Sequence, residues 1–77
     1  MDDIQKKILR AILENGQIRG FELKQETGVE SHVLAGAVTP LIDLGLITAS
    51  GTVHPETIDR VQFAPLSSAV ERKSYLL

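Results

Sequence analysis

The chain has 77 residues, enough for one domain with a thin core that buries roughly 60–65% of the unfolded surface. Its 43% hydrophobic content excludes a disordered chain, and the lack of cysteine excludes disulfides, thiolate zinc sites and cysteine nucleophiles. The net charge of −2 runs against the basic balance usual in DNA-binding domains, and three aromatics are too few for a platform that stacks single strands.

Asp2 to Glu14 reads as a first helix. Asp2 or Asp3 can cap it and suits the positive end of its dipole. Ile4, Ile8, Ala11 and Ile12 form its apolar face, widened by Leu9 and Leu13. Lys6, Lys7, Arg10 and Glu14 lie on the wet face. Asn15-Gly16 ends the helix, with Gly16 as a left-handed cap. Gln17-Ile18-Arg19 is short and β-prone. Gly20 or Phe21 opens a second helix whose buried side is Phe21, Leu23 and Thr27. Gly28 stops it at a position that tolerates positive φ, and Val29 plugs the angle that follows.

Glu30 or Ser31 starts a third helix, with Ser31 a good N-cap. Val33, Leu34, Ala37, Val38, Leu41 and Ile42 repeat at helical spacing, and Leu34 and Ala37 are expected to face the short second helix across the Gly28 turn. Pro40 costs one backbone hydrogen bond, normally to Gly36. The apolar stripe keeps its phase across Pro40, which favours a kinked continuous helix. The alternative is a break, with Thr39 capping a new turn. Gly45 stops the helix, and Leu46-Ile47 exits into a strand.

The stretch from Phe21 to Ile47 resembles the centre of a winged helix-turn-helix domain of small bacterial and archaeal transcription regulators. Gly28, Val29, Leu34, Leu41 and Gly45-Leu46-Ile47 carry the resemblance, which covers nearly the whole chain. It implies a mainly α fold with a small β-hairpin. That fold has a three-helix core, a two- or three-stranded wing and a C-terminal helix, all in a single domain over 1–77. It also implies that the strand at Gln17-Ile18-Arg19 pairs with the wing. The family prefers a small residue just after Leu23, and this chain departs from it with Lys24, which can snorkel.

Leu46 to Ser50 and Arg60 to Ala64 read as the wing, a long hairpin over 46–64, with Val61 and Phe63 turned inward. The alternative is a tight turn at Ser50-Gly51, Thr52-Val53 as the second strand, and a helix over 55–61. The Val-x-Phe-Ala-Pro run resembles the usual exit from a wing and favours the longer hairpin. Leu66 to Leu76 reads as a last helix, with Ala69, Val70, Leu76 and Leu77 apolar.

In the family the third helix enters the major groove. Its outward residues here are Glu30, Ser31, His32, Ala35, Gly36, Thr39 and Asp43. Ser31, His32 and Thr39 can hydrogen-bond to bases or phosphates. Arg19, Lys24 and Arg60 are placed to hold the backbone. A fold that gathers those three beside the third helix favours double-stranded DNA as the partner. One that scatters them favours a protein partner. From Gln25 to Asp59 there is no lysine or arginine, and this acidic stretch supports the alternative, an interaction module without DNA binding. A homodimer through the C-terminal helix is expected from Val70 and Leu76-Leu77.

His32 and His54, with Glu30 and Glu56, match no ligand spacing, so no metal is expected. Ser31-His32 is not a catalytic pair, and there is no glycine-rich phosphate loop. We therefore expect neither cofactor nor enzyme activity. No apolar run approaches the ~18 residues of a membrane span, and the acidic Met1-Asp2-Asp3 start has no signal-peptide core. A cytoplasmic protein without membrane contact is expected.

Overall fold

The computed structural model describes residues 2–66. The expected last helix and its dimer surface lie outside them. Three helices form the body: α1 (Asp3–Asn15), α2 (Gly20–Thr27) and α3 (Ser31–Asp43). Three short strands, β1 (Ile18–Arg19), β2 (Ile47–Ala49) and β3 (Gln62–Pro65), make an antiparallel sheet in the order β1-β3-β2.

Local chemistry sets the ends of α1. The Asp2 carboxylate accepts from the Gln5 amide at 2.8 Å, and the Gln5 side chain accepts from the Asp2 amide at 3.1 Å, a reciprocal capping box. Gly16 closes the helix at φ 77° and ψ −52°, positive in φ but outside the left-handed helical basin expected for it. The buried side of α1 is Ile8, Leu9, Ala11 and Ile12, while Ile4, expected on that face, is exposed near the free end of the helix. The Asn15 amide donates to the Glu26 carboxylate at 3.0 and 3.2 Å and so ties α1 to α2.

The turn between α2 and α3 follows the helix-turn-helix pattern. Gly28 takes the left-handed conformation (φ 74°, ψ 15°), and its amide donates to the Lys24 carbonyl at 2.7 Å. Leu23 and Thr27 are buried. Phe21 is not: it is 50% exposed, because it sits in the first turn of α2, on the side away from Leu23 and Thr27. Val29 is half-buried against the core.

Helix α3 runs unbroken through Pro40, so Thr39 caps no new turn. The Thr39 hydroxyl instead donates to the Ala35 carbonyl one turn back, at 2.9 Å. Glu30, not Ser31, is the N-cap, and its side chain makes no capping bond. The C-terminus is a Schellman motif. Gly45, at φ 73°, donates to Ile42 at 2.9 Å, and Leu46 donates to Leu41 at 3.0 Å. Both Leu41 and Leu46 are buried, so the motif has its apolar contact as well.

The long hairpin holds, with shifted bounds. Ile47 pairs with Pro65 and Ala49 with Phe63, while Ile18 and Arg19 pair with Phe63 and Gln62 on the other side of β3. The strands therefore cover 47–49 and 62–65 rather than 46–50 and 60–64. Pro65 is tolerated because β1 ends at the level of Phe63, so the missing N–H falls where no strand pairs. The connection contains one 3₁₀ turn, Ile58–Arg60, in place of the alternative helix over 55–61. Ile58 is fully buried and draws the connection back onto α2 and α3.

One apolar cluster joins every layer. Ile8, Leu9 and Ile12 come from α1, Leu23 from α2, and Leu34, Val38 and Leu41 from α3; Ile47, Ile58 and Phe63 close it from below. Each such side chain contributes about 1.5–3 kcal/mol on leaving water.

Candidate nucleic-acid interface

Helix α2 meets the 3₁₀ turn along its length and, through Lys24, the first turn of α3. Gly20 makes the meeting close. Its amide donates to the Val61 carbonyl at 2.8 Å, and a Cβ built on it would lie 1.8 Å from the Ile58 carbonyl oxygen. Only glycine allows that approach. This role is not visible in the sequence, since nothing near Gly20 in the chain announces Ile58.

Of the three cations expected to hold the backbone, Arg19 immediately precedes Gly20 and Arg60 immediately precedes Val61. The Gly20–Val61 bond therefore brings Arg19 and Arg60 to the same junction, and both are exposed. Lys24 lies one turn further along α2 and is half-buried. Its ammonium is 2.6 Å from Asp59 Oδ1 and donates to the Ser31 hydroxyl at 2.9 Å. The family's small residue is thus replaced by a side chain that links α2, α3 and the wing connection. Among the described residues, Lys24–Asp59 is the ion pair between a lysine or arginine and a carboxylate, and the His32 ring lies 3.6 Å from the Glu30 carboxylate, both well exposed.

The outward face of α3 differs from expectation at one residue. Ala35 is buried, on a helix that packs against α1, α2, the 3₁₀ turn and β2. His32, Gly36, Thr39 and Asp43 are exposed, and Ser31 is half-buried beneath Lys24. Gly36 stands in open space: a Cβ there would meet nothing within 4 Å. Among the described residues, the outward face of α3 is thus nearly bare, with acidic groups at Glu30 and Asp43.

The wing connection is braced from within. The Thr57 hydroxyl donates to the Thr52 carbonyl at 3.0 Å, the Glu56 amide donates to His54 Nδ1 at 3.2 Å, and the Gln62 amide donates to the Ser50 hydroxyl at 2.9 Å. Thr52 and His54 remain exposed. His32 and His54 sit on separate elements, and among the described residues no group of three or more histidine or acidic side chains is arranged to hold a metal ion. No helix of the described residues is long and apolar enough to cross a membrane.

Three helices, the glycine turn between the second and third, and a sheet that pairs the strand before α2 with the wing define a winged helix-turn-helix domain. Two solved structures superpose on 99% of the chain with a TM-score of 0.82. One is NadR in complex with 4-hydroxyphenylacetate, 21% identical; the other is the multiple antibiotic-resistance repressor MarR from Listeria monocytogenes, 16% identical. In sequence, the chain is 33% identical over 78 residues to part of a polyribonucleotide nucleotidyltransferase of Nocardioides sp.. No protein-family model matches. The chain spans about half the length of the two solved proteins (52% and 51%) and 10% of the nucleotidyltransferase.

Proposed function

We propose that this domain binds double-stranded DNA and serves in transcription regulation, with α3 in the major groove. The observation that carries the reading is the open face of α3. His32, Gly36 and Thr39 are uncovered among the described residues, and the Gly20–Val61 bond brings the backbones of the exposed Arg19 and Arg60 to one junction beside α2. In this reading His32 and Thr39 meet base edges or phosphates, and Gly36 lets the helix backbone approach closely. Arg19 and Arg60 grip the backbone. Ser31 and Lys24 belong to the same surface. The solved structure with a repressor's name supports the regulatory role.

The test is fluorescence anisotropy with a random-sequence DNA duplex at rising salt. Two arginine–phosphate contacts give a log–log slope of about −1.8 for each copy of the domain. No binding at low salt overturns the reading. An RNA duplex is run alongside, because the curated relative's name points to polyribonucleotides. The deep, narrow major groove of A-form RNA excludes a helix, so DNA is expected to bind more tightly.

A protein partner is the second reading. It is favoured by the lysine- and arginine-free stretch from Gln25 to Asp59 and by the exposed Phe21 and Leu44. Failure to bind DNA, with the fold intact, selects it. The homodimer expected from Val70 and Leu76-Leu77 is tested by sedimentation. A mass that stays at 8.4 kDa over a wide concentration range removes it.

A further inference from the structure

We infer that Asp59 is an internal competitor for DNA phosphate, withholding Lys24 from the interface and so limiting affinity to the two arginines. The inference rests on the DNA-binding reading above and concerns how that site is regulated.

A carboxylate oxygen 2.6 Å from the Lys24 ammonium occupies the place where a phosphate oxygen would bind. The Ser31 hydroxyl takes a second ammonium hydrogen at 2.9 Å. Lys24 is only 22% exposed and Asp59 48%, so the pair is partly shielded from competing salt.

Asp59 is also hard to displace. It lies between buried Ile58 and buried Val61, on a turn closed by Arg60 N–H to the Thr57 carbonyl at 3.0 Å and Val61 N–H to the Ile58 carbonyl at 3.2 Å. The close approach of Gly20 to the Ile58 carbonyl fixes the same turn from the other side. To free Lys24, a duplex would have to swing the carboxylate aside while that backbone stays in place. Arg19 and Arg60 face no such competitor among the described residues. The arrangement accounts for a lysine at the centre of the expected footprint without giving the interface a third free charge.

The test compares the wild-type domain with Asp59→Asn, which keeps the side-chain shape and removes the charge. Anisotropy with the random duplex gives affinity and salt slope. Acetylation of lysines, read by mass spectrometry with and without the duplex, reports on Lys24 directly. In the wild type, we expect slow acetylation of Lys24 that DNA does not change. In Asp59→Asn, we expect faster acetylation that DNA suppresses, binding tighter by roughly three- to tenfold at low salt, and a slope steeper by about 0.9. Tighter binding without DNA protection of Lys24 would reflect only the loss of a nearby negative charge and would overturn the inference. So would DNA protection of Lys24 in the wild type. Should Asp59→Asn fail to fold, Asp59→Ser is read against the same outcomes. A duplex that binds neither protein overturns the functional reading itself, and the competitor role falls with it.

Discussion

Gly20 has no room for a methyl group. Gly20→Ala would press a carbon into the Ile58 carbonyl and force α2 away from the 3₁₀ turn. The expected loss is at least about 1–3 kcal/mol in urea unfolding, the usual range for overpacking. Gly36 presents the opposite case. Gly36→Ala meets nothing, so it should raise stability by about 0.8–1.0 kcal/mol through helix propensity while weakening duplex binding. A variant with both higher stability and unchanged affinity would show that no partner approaches Gly36 closely. The two glycines look alike in sequence. Gly28 and Gly45 were legible as turn residues because their positive φ answers a local need. Gly20 was not, since its reason is a carbonyl that reaches it only through the fold. Lys24 was legible as a departure from the family pattern, but its partner Asp59 lies far downstream, and no periodicity connects them.

Helix α3 carries Pro40 without breaking. Proline in a helix interior costs around 3 kcal/mol relative to alanine, and Pro40 has no N–H for the Gly36 carbonyl. Pro40→Ala is therefore expected to stabilise the domain, by about 1–3 kcal/mol in the same unfolding measurement. The constant phase of the apolar stripe made this continuity legible. The width of the buried arc was not legible, because Ala35 is buried by elements packed around α3, which the stripe of α3 does not contain. The wing shows the same limit. Its long span followed from the run Val61-Gln62-Phe63-Ala64-Pro65, but the 3₁₀ turn depends on Ile58 finding a place in the core. Ile58→Ala should cost about 2–5 kcal/mol by leaving a cavity beneath that turn. It should also loosen Asp59, so that Lys24 acetylates faster even with both partners of the ion pair present.

Among the described residues, one apolar cluster joins every layer of the molecule, so the helices and the sheet should unfold together. Circular dichroism of the helices and amide exchange of Phe63 are expected to report the same urea midpoint. Such coupling suits a domain whose candidate interface draws on α2, α3 and the wing connection at once. The strand order β1-β3-β2 adds a temporal consequence. The middle strand is the last of the three in the chain, so during synthesis on the ribosome the flanking strands are complete while the place between them is empty. α1, α2 and α3 can collapse on one another first, but the junction of Arg19 with Arg60 cannot exist until Gln62 and Phe63 have left the exit tunnel. A nascent chain stalled before that point would hold the glycine turn and the bare face of α3 without the arginine pair. The pairing of Arg19 with Arg60 would then form only after the three helices and the flanking strands are in place.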